Sequence, residues 1–354
     1  MLADLKGPPA NPSSIHWFGQ QARSLLSIAR HQSAAFFQAK PEEITFTSGG
    51  TESINLMLRS LPSKGHLITT AIEHSAVYRS VQALEAQGLA VTYLQVGLWG
   101  APLIEKISDA IRKDTCALVL SASNGETGVK IDLPAIAQFG EKQGIPLLLD
   151  AVSYIGKEPL PHLAGISAVS LSGHKFHAPK GIGLLYLRSC FQLRPLLTGG
   201  NQEYQKRAGT ENLSGILGLG EALQILRESQ ESITEQIVNL RLHFENGLRR
   251  EIPDLIIHGE GPRISNTSNV AFLGVDGETL LMHLDLSGVS ASHGSACSSG
   301  ALEPSRVLTQ MGIDKHTARS SLRFSLGRTN TRVEIDIAIE KCANIVKKLR
   351  MIRV

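Results

Sequence analysis

A lysine placed straight after an apolar run, with a serine and a histidine just before it, is the sequence feature with the most chemistry in it. Ser172, His174 and Lys175 follow AVSL in the segment SGHKFHAPKG. A lysine held partly out of water has a lowered pKa and can add to a carbonyl as a Schiff base. Taken alone, such a lysine is more often a solvated surface residue. Asp150 shifts that balance, because it ends the apolar run IPLLLDA. Ligands of open α/β sheets bind at the carboxyl ends of strands, where a carboxylate can pair with a protonated ring nitrogen. In isolation a turn or helix cap explains Asp150 about as well. The short spacing to Lys175 fits neighbouring strands of one sheet. One ligand could then face both side chains, and pyridoxal phosphate, with its pyridine nitrogen and aldehyde, needs such a pair.

Other segments add candidates. SGGTES (48–53) is a glycine turn between a strand and a helix, and its backbone N–H groups with the Thr51 hydroxyl could cradle an anion beside Gly50. By itself a plain capping turn is the better account, and no Walker or G-x-G-x-x-G motif claims the segment. His74, in TTAIEHSAV, could stack on a flat ring or cap a helix. Asn124, in SASNGETG, could donate to a phenolic oxygen. Thr210, in RAGTEN, could reach a phosphate. Cys297, in GSACSSGAL, has only small, polar or glycine neighbours. That suits a thiolate nucleophile, although an exposed, inert thiol fits too. Arg323, in LRFSLGR, could clamp a carboxylate in bidentate fashion or serve a structural ion pair. Cys116 and Cys342 read as core residues, and Cys190 is ambiguous. With no C-x-x-C pair, neither a zinc ribbon nor a disulfide framework is expected.

These residues need a scaffold that gathers strand ends. Apolar runs at 66–70, 90–96, 116–121, 145–151, 168–173 and 181–187 alternate with helical patterns near 74–87, 101–113 and 133–143, after a helix over 13–38 and a short strand in EEITFTSGG. This alternation predicts an α/β fold with a mostly parallel sheet covered on both faces. The last two runs are too close for a helical crossover, so one antiparallel strand is expected. A long helical pattern at 215–250 precedes a change of texture. LIIHGE, SNVAFLGV, VSASHGS and LRFSLGR read as short strands between helices 277–286 and 331–350. The predicted organisation is a large domain over 11–225 and a small α+β domain over 226–354, with 1–10 joined to it. The net charge of +3 is too mild to argue for nucleic acid. No apolar run approaches the roughly 18–20 residues that span a bilayer, and the start lacks a signal-peptide pattern. A cytoplasmic protein with neither membrane nor direct nucleic-acid binding is expected.

NPSSIH, ITFTSGGTES, IEHSAV, SNGETGV, LLLDA, SLSGHKFHAPKGIG, RAGTEN, GSACSSGALEPSRVL and LRFSLGR occur in this order from residue 11 to residue 328. Together they closely resemble the cysteine desulfurases of the class V aminotransferase family, which are fold type I pyridoxal phosphate enzymes. The extended segment around Cys297 resembles group I, which serves iron–sulfur assembly, nitrogen fixation and tRNA thiolation. The resemblance implies a large domain with a seven-stranded-type sheet. It implies the cofactor as a Schiff base on Lys175, Asp150 at the pyridine nitrogen, and His74 on the ring. Gly50, Thr51, Ser172 and His174 would bind the phosphate, with Thr210 from a second subunit, so a homodimer is implied. Asn124 would lie near the phenolic oxygen, and Asn11 and Arg323 would hold the substrate carboxylate. Cys297 would take sulfur from L-cysteine as a persulfide, leaving L-alanine, and pass it to an acceptor such as an iron–sulfur scaffold or a tRNA-thiolation protein. The chain departs from the pattern at Ser153, where the family commonly has Gln to contact the phenolic oxygen. It departs again at Tyr204 and Gln205, where Arg and Gly are commoner. The family's opening strand and Asn-Ala-Thr-Thr-like turn have no counterpart before NPSSIH, so a catalytically weakened sulfur-transfer scaffold is one alternative. A selenocysteine lyase or an aminotransferase of the same family is another.

Overall fold

The computed structural model describes residues 1–294 and 303–352. Seven strands, β1 (Ile44–Thr47), β2 (His66–Thr70), β3 (Ala90–Leu94), β4 (Thr115–Ser121), β5 (Leu147–Asp150), β6 (Ile166–Ser172) and β7 (Gly183–Leu187), form one sheet in the order β1-β7-β6-β5-β4-β2-β3. Pairing is parallel from β3 through β6. β7 runs antiparallel to both β6 and β1, as the short link after Lys175 requires. Period-2 alternation splits the buried side chains between two faces. Leu118, Leu120, Leu147 and Leu149 pack on one side. Ala117, Val119, Leu148 and Leu185 pack on the other. A strand buried on both faces must be apolar throughout, which explains the unbroken run LLL before Asp150.

The helices before the crossover to the smaller sheet are α1 (Leu2–Lys6), α2 (Trp17–Phe37), α3 (Gly50–Leu58), α4 (Ser75–Ala86), α5 (Ile104–Ala110) and α6 (Leu133–Gln143). Local chemistry sets their ends. Asp132 caps α6 by accepting from Ala135 N, and Gly144 stops it in the left-handed conformation at φ 67°. α7 (Leu213–Glu251) has 39 residues and runs for about 58 Å at 1.5 Å per residue. Its Ile216, Leu219 and Leu223 belong to the core under the large sheet. Its Leu240, Phe244 and Leu248 belong to a second core. That core covers β8 (Leu255–Ile257), β9 (Thr267–Phe272) and β10 (Ser321–Ser325), an antiparallel sheet in the order β10-β9-β8, together with α8 (Gly277–Leu286) and α11 (Arg332–Ile352). The short helices α9 (Arg306–Gln310) and α10 (Lys315–Arg319) lead into β10.

Two expectations need correction. VSASHGS forms no strand up to residue 294; only Ser292 makes a bridge, exchanging backbone hydrogen bonds with Arg323. Residues 1–10 were expected with the smaller sheet, yet the Ser214 hydroxyl donates to Asp4 and fixes α1 against the first turn of α7, beside the large sheet.

Candidate active site

The fold brings the ends of five strands to one edge of the large sheet. β6 ends at Ser172 and runs into a 3-10 turn (Gly173–Phe176) that carries His174 and Lys175. β5 ends at Asp150, in register with Ser121 of β4 and Ser170 of β6. β2 leads to Glu73 and His74, β4 to Asn124, and β1 to Gly50 and Thr51 at the start of α3. A cleft of about 380 Å³ opens there, lined by Ser153, Lys157, His174, Lys175, Asn266 and Arg323 among others. It therefore lies between the large sheet and residues that follow α7.

Asp150 is 5 % exposed. Its hydrogen bonds, from Val152 N at 3.0 Å and Ser170 Oγ at 3.5 Å, both fall on Oδ1. Burial pushes its carboxyl above the ordinary range, while the Val152 N–H and the charges of His74 and Lys175 pull it back. His74 Nδ1 accepts from Ala76 N at 3.1 Å, so His74 caps α4 as well as facing Asp150 electrostatically. Ser172 Oγ and His174 Nδ1 lie 3.0 Å apart. Burial and the neighbouring Lys175 and Lys180 hold His174 below its usual value. At the start of α3, a Cβ on Gly50 would stand 2.5 Å from Val152 Cγ2, so only glycine lets the helix N-terminus approach the end of β5 this closely.

Arg323 Nη1 donates to Gly125 O at 2.9 Å, while its buried Nε has no hydrogen-bond partner among the described residues. An unpaired buried guanidinium N–H is costly, and a ligand carboxylate in the cleft would satisfy it. Asn124 is committed elsewhere. Its Nδ2 donates to Ile72 O at 3.0 Å, and its Oδ1 accepts from the N–H groups of Glu126 and Thr127. Ser153 sits beside Gly125, its Oγ 3.0 Å from where a Cβ on that glycine would be. Asn11 is exposed and accepts from Ser13 N at 2.9 Å, and it is not among the residues lining the cleft. Thr210 lines a separate, smaller cavity with Ser48 and Arg207. Cys297 lies outside the described residues.

Several groups escaped the sequence reading. Glu73, 3 % exposed, accepts from Thr70 Oγ1 at 2.7 Å and Ser121 N at 2.9 Å. Burial drives its pKa up to about 7, and the nearby Asp150 adds to the rise. Glu126 is buried too and accepts from Ser305 Oγ at 2.5 Å. Arg306, over the Tyr78 ring at 4.1 Å, donates to the carbonyls of Ala71 and Glu73 and so ties α9 to the turn bearing His74. The available signal was position: Glu73 and Glu126 each sit two to five residues past an apolar strand, as Asp150 sits at the end of one. Among the described residues, no cluster of His, Cys, Asp and Glu could hold a metal ion.

A buried carboxylate, a lysine and a tight helix N-terminus on one sheet edge define a site for a ring cation with an anionic tail. Residues 3–337 match the family model described as Aminotransferase class-V. A cysteine desulfurase of a Nostoc species is 42 % identical over 346 residues, covering 96 % of this chain and 86 % of its own length. A cysteine desulfurase IscS of Dictyoglomus turgidum is 38 % identical over 355 residues, with 98 % and 90 % covered. Among solved structures, a NifS-like protein superposes with a TM-score of 0.90 at 31 % identity, covering 98 % of this chain and 94 % of the other. A structure described as SspA in complex with cysteine gives a TM-score of 0.78 at 31 % identity over 91 % of this chain and 92 % of the other. The chain belongs to the class V aminotransferase family and, within it, to the cysteine desulfurases.

Proposed function

We propose that this protein removes sulfur from L-cysteine with pyridoxal phosphate, giving L-alanine and a persulfide on Cys297. The observation that carries the reading is a buried Asp150 at the end of β5 and Lys175 in the turn after the adjacent β6, with Lys175 and Arg323 both lining one cleft. The residues present fit the cofactor. Asp150 is a buried carboxylate whose hydrogen bonds come from Val152 N and Ser170 Oγ, both on Oδ1, and it would hold a protonated ring nitrogen. The Gly50–Thr51 helix start with Ser172 and His174 would hold the phosphate. Lys175 would hold the cofactor through Nζ. His74 would cover the ring, and Ser153, which lines the cleft, would be near its phenolic oxygen, with Asn124 shaping the turn beside it. When bound, pyridoxal phosphate acts as an electron sink that stabilises carbanions at the substrate Cα.

The chain's own groups do the rest. Arg323 Nε and its remaining N–H donors receive the substrate carboxylate; Asn11, which lies outside the cleft in this structure, would hold it only by moving toward Arg323. Lys175 Nζ moves protons at Cα, and His74 assists. The Cys297 thiolate attacks the substrate sulfur. An S–S bond forms and the Cβ–S bond breaks, and the electron pair left on carbon takes a proton, so cysteine and a thiol become alanine and a persulfide. Thr210 lines a separate cavity and not its own cleft, which supports a homodimer in which it serves the partner's phosphate. We place the boundary between a large domain (11–225) and a small one within α7, whose two ends enter different cores. The persulfide would pass to an acceptor protein of iron–sulfur assembly or tRNA thiolation. No helix among the described residues is long and apolar enough to cross a membrane, and we propose a cytoplasmic enzyme. The test is a visible absorbance band in the loaded protein, with alanine and sulfide formed from L-cysteine. Cys297→Ala keeps the band and loses persulfide; Lys175→Ala loses the band. A full band in Lys175→Ala refutes the reading.

A further inference from the structure

The turn that follows Asp150 carries a second lysine into the cleft. Gly156 makes this possible: its φ is +77°, and a Cβ there would stand 2.6 Å from Phe176 Cβ, so only glycine lets the turn close against the segment holding Lys175. Lys157 follows immediately. Its Nζ donates to the backbone carbonyl of Lys175 at 2.5 Å. Its own carbonyl accepts from Thr234 Oγ1 of α7 at 3.1 Å and from Ser265 Oγ at 2.8 Å, which fixes the residue from two further sides. The adjacent Glu158 does not neutralise it. That carboxylate is engaged by Lys130 at 2.5 Å and Ser265 N at 2.9 Å, and among the described residues Lys157 forms no salt bridge.

We propose that Lys157 is a positioning residue for Lys175: its amine, bonded to the Lys175 backbone carbonyl, fixes the backbone of the reactive lysine and brings an uncompensated positive charge up to that residue. This rests on the reading of Lys175 as the cofactor's amine. A lysine must be unprotonated to add to a carbonyl, and a neighbouring cation in a partly dry site lowers the pKa that governs this. The coupling runs both ways. Burial, and then the charge of Lys175, push Lys157 down to about 8. The other charged groups around the pair are Asp150 on β5, which favours the charged Lys175; His174, His177 and Lys180 on the β6–β7 connection; and Arg323 and Arg328 at the end of β10. Among the described residues, Glu126 faces Arg323 and Glu158 is taken by Lys130, and the anion shown to face Lys175 is Asp150. Its pull is directed to the cofactor ring in the loaded protein, while Lys157 opposes it in the protein that has yet to load.

The test uses the full chain without cofactor. Lys175 is methylated with isotopic formaldehyde and borohydride across a pH series and quantified by peptide mass spectrometry. Lys157→Met should raise the pH midpoint of Lys175 labelling by about one unit, as loss of a close like charge does. Lys157→Arg should leave it in place, and Lys157→Gln, which keeps a donor for the carbonyl, should move it as Met does. An unmoved midpoint in Met and Gln, or an equal rise in Arg, overturns the proposal. Where Met fails to fold, the Gln and Arg pair decides. Protection of Lys175 by added pyridoxal phosphate is measured in parallel. Lack of protection in the unaltered chain overturns the reading of Lys175 and this inference with it, whereas protection with an unmoved midpoint overturns this inference alone.

Discussion

Replacing Glu73 by Gln should make the cofactor-free protein more stable at neutral and alkaline pH. The carboxyl sits at the end of β2 with its pKa raised from 4.5 to about 7 by burial and, further, by Asp150. A group whose folded pKa is raised binds more protons in the native state than in the unfolded one, so stability falls as pH rises through that window. At about 1.4 kcal/mol per pH unit, the gap between 4.5 and about 7 amounts to about 3 kcal/mol. Below pH 4.5 the Glu73 carboxyl is neutral in both states and the variant gains nothing. Above 7 the native protein carries a buried anion, and the variant should be ahead by up to about 3 kcal/mol. Of the three donors to Glu73, Gln keeps its carbonyl oxygen for the Ser121 N–H and hydroxyl and turns its amide to the Thr70 hydroxyl, whose own donation is lost, which lowers the gain by about 1 kcal/mol. The assay is urea unfolding of both proteins at several pH values, read as the difference between them. Parallel curves between pH 4.5 and 7 refute the reasoning, since a constant offset reflects packing and not a titrating carboxylate.

His258 behaves in the opposite sense. Burial holds its pKa down to about 4 from 6.5, so it stabilises the neutral form and the fold loses about 3 kcal/mol as pH falls from 6.5 to about 4; His258→Gln should flatten that acid limb in the same unfolding series. Gly165→Ala should cost more than about 2 kcal/mol, because φ is +78° and the added Cβ would lie 2.2 Å from Ala137 O; a variant melting with the unaltered chain would contradict this. Glu203→Gln should cost about 3–5 kcal/mol in urea unfolding, because it leaves Arg30 buried without its anion. In the folded chain Cys190 should react quickly with a thiol reagent while Cys342, buried and pushed up to about 12, should react only on unfolding, as peptide mapping over time would display.

The strands were legible because the parallel ones are apolar on both faces, and LLLD and AVSLS leave no other way to be buried. Helix ends were legible where chemistry marks them. Asp132 and Gly144 bracket α6 at the residues the pattern gave, whereas the helix expected over 101–113 shrinks to Ile104–Ala110 because Leu103 offers no cap. VSASHGS misled because its alternation is that of a strand, while up to residue 294 it follows the open edge of β10 at Ser292 alone, through the bridge to Arg323. Asp150, Lys175 and Arg323 were legible as side chains at strand ends or on an apolar strand. Glu73 and Glu126 carried only the weak signal of sitting just past a strand end, and Arg306 carried none. Their further contacts span as many as 235 positions of sequence, as from Arg306 to Ala71, and no local spacing encodes such a contact.

α7 feeds two cores, and between Leu226 and Ile237 none of its residues is buried. That stretch still works as a phase setting. Each α-helical residue turns the chain by about 100° and advances it by 1.5 Å. One residue inserted at 227–236 would leave every core contact chemically possible, yet it would index the smaller sheet about 100° around the helix axis and carry Arg323 out of the cleft that holds Lys175. Apart from Thr234, which holds the Lys157 carbonyl, the composition of this segment is free to drift, while its count of residues is not. A length change there would disable the site as surely as a change of catalytic residue, without touching any group that meets the substrate.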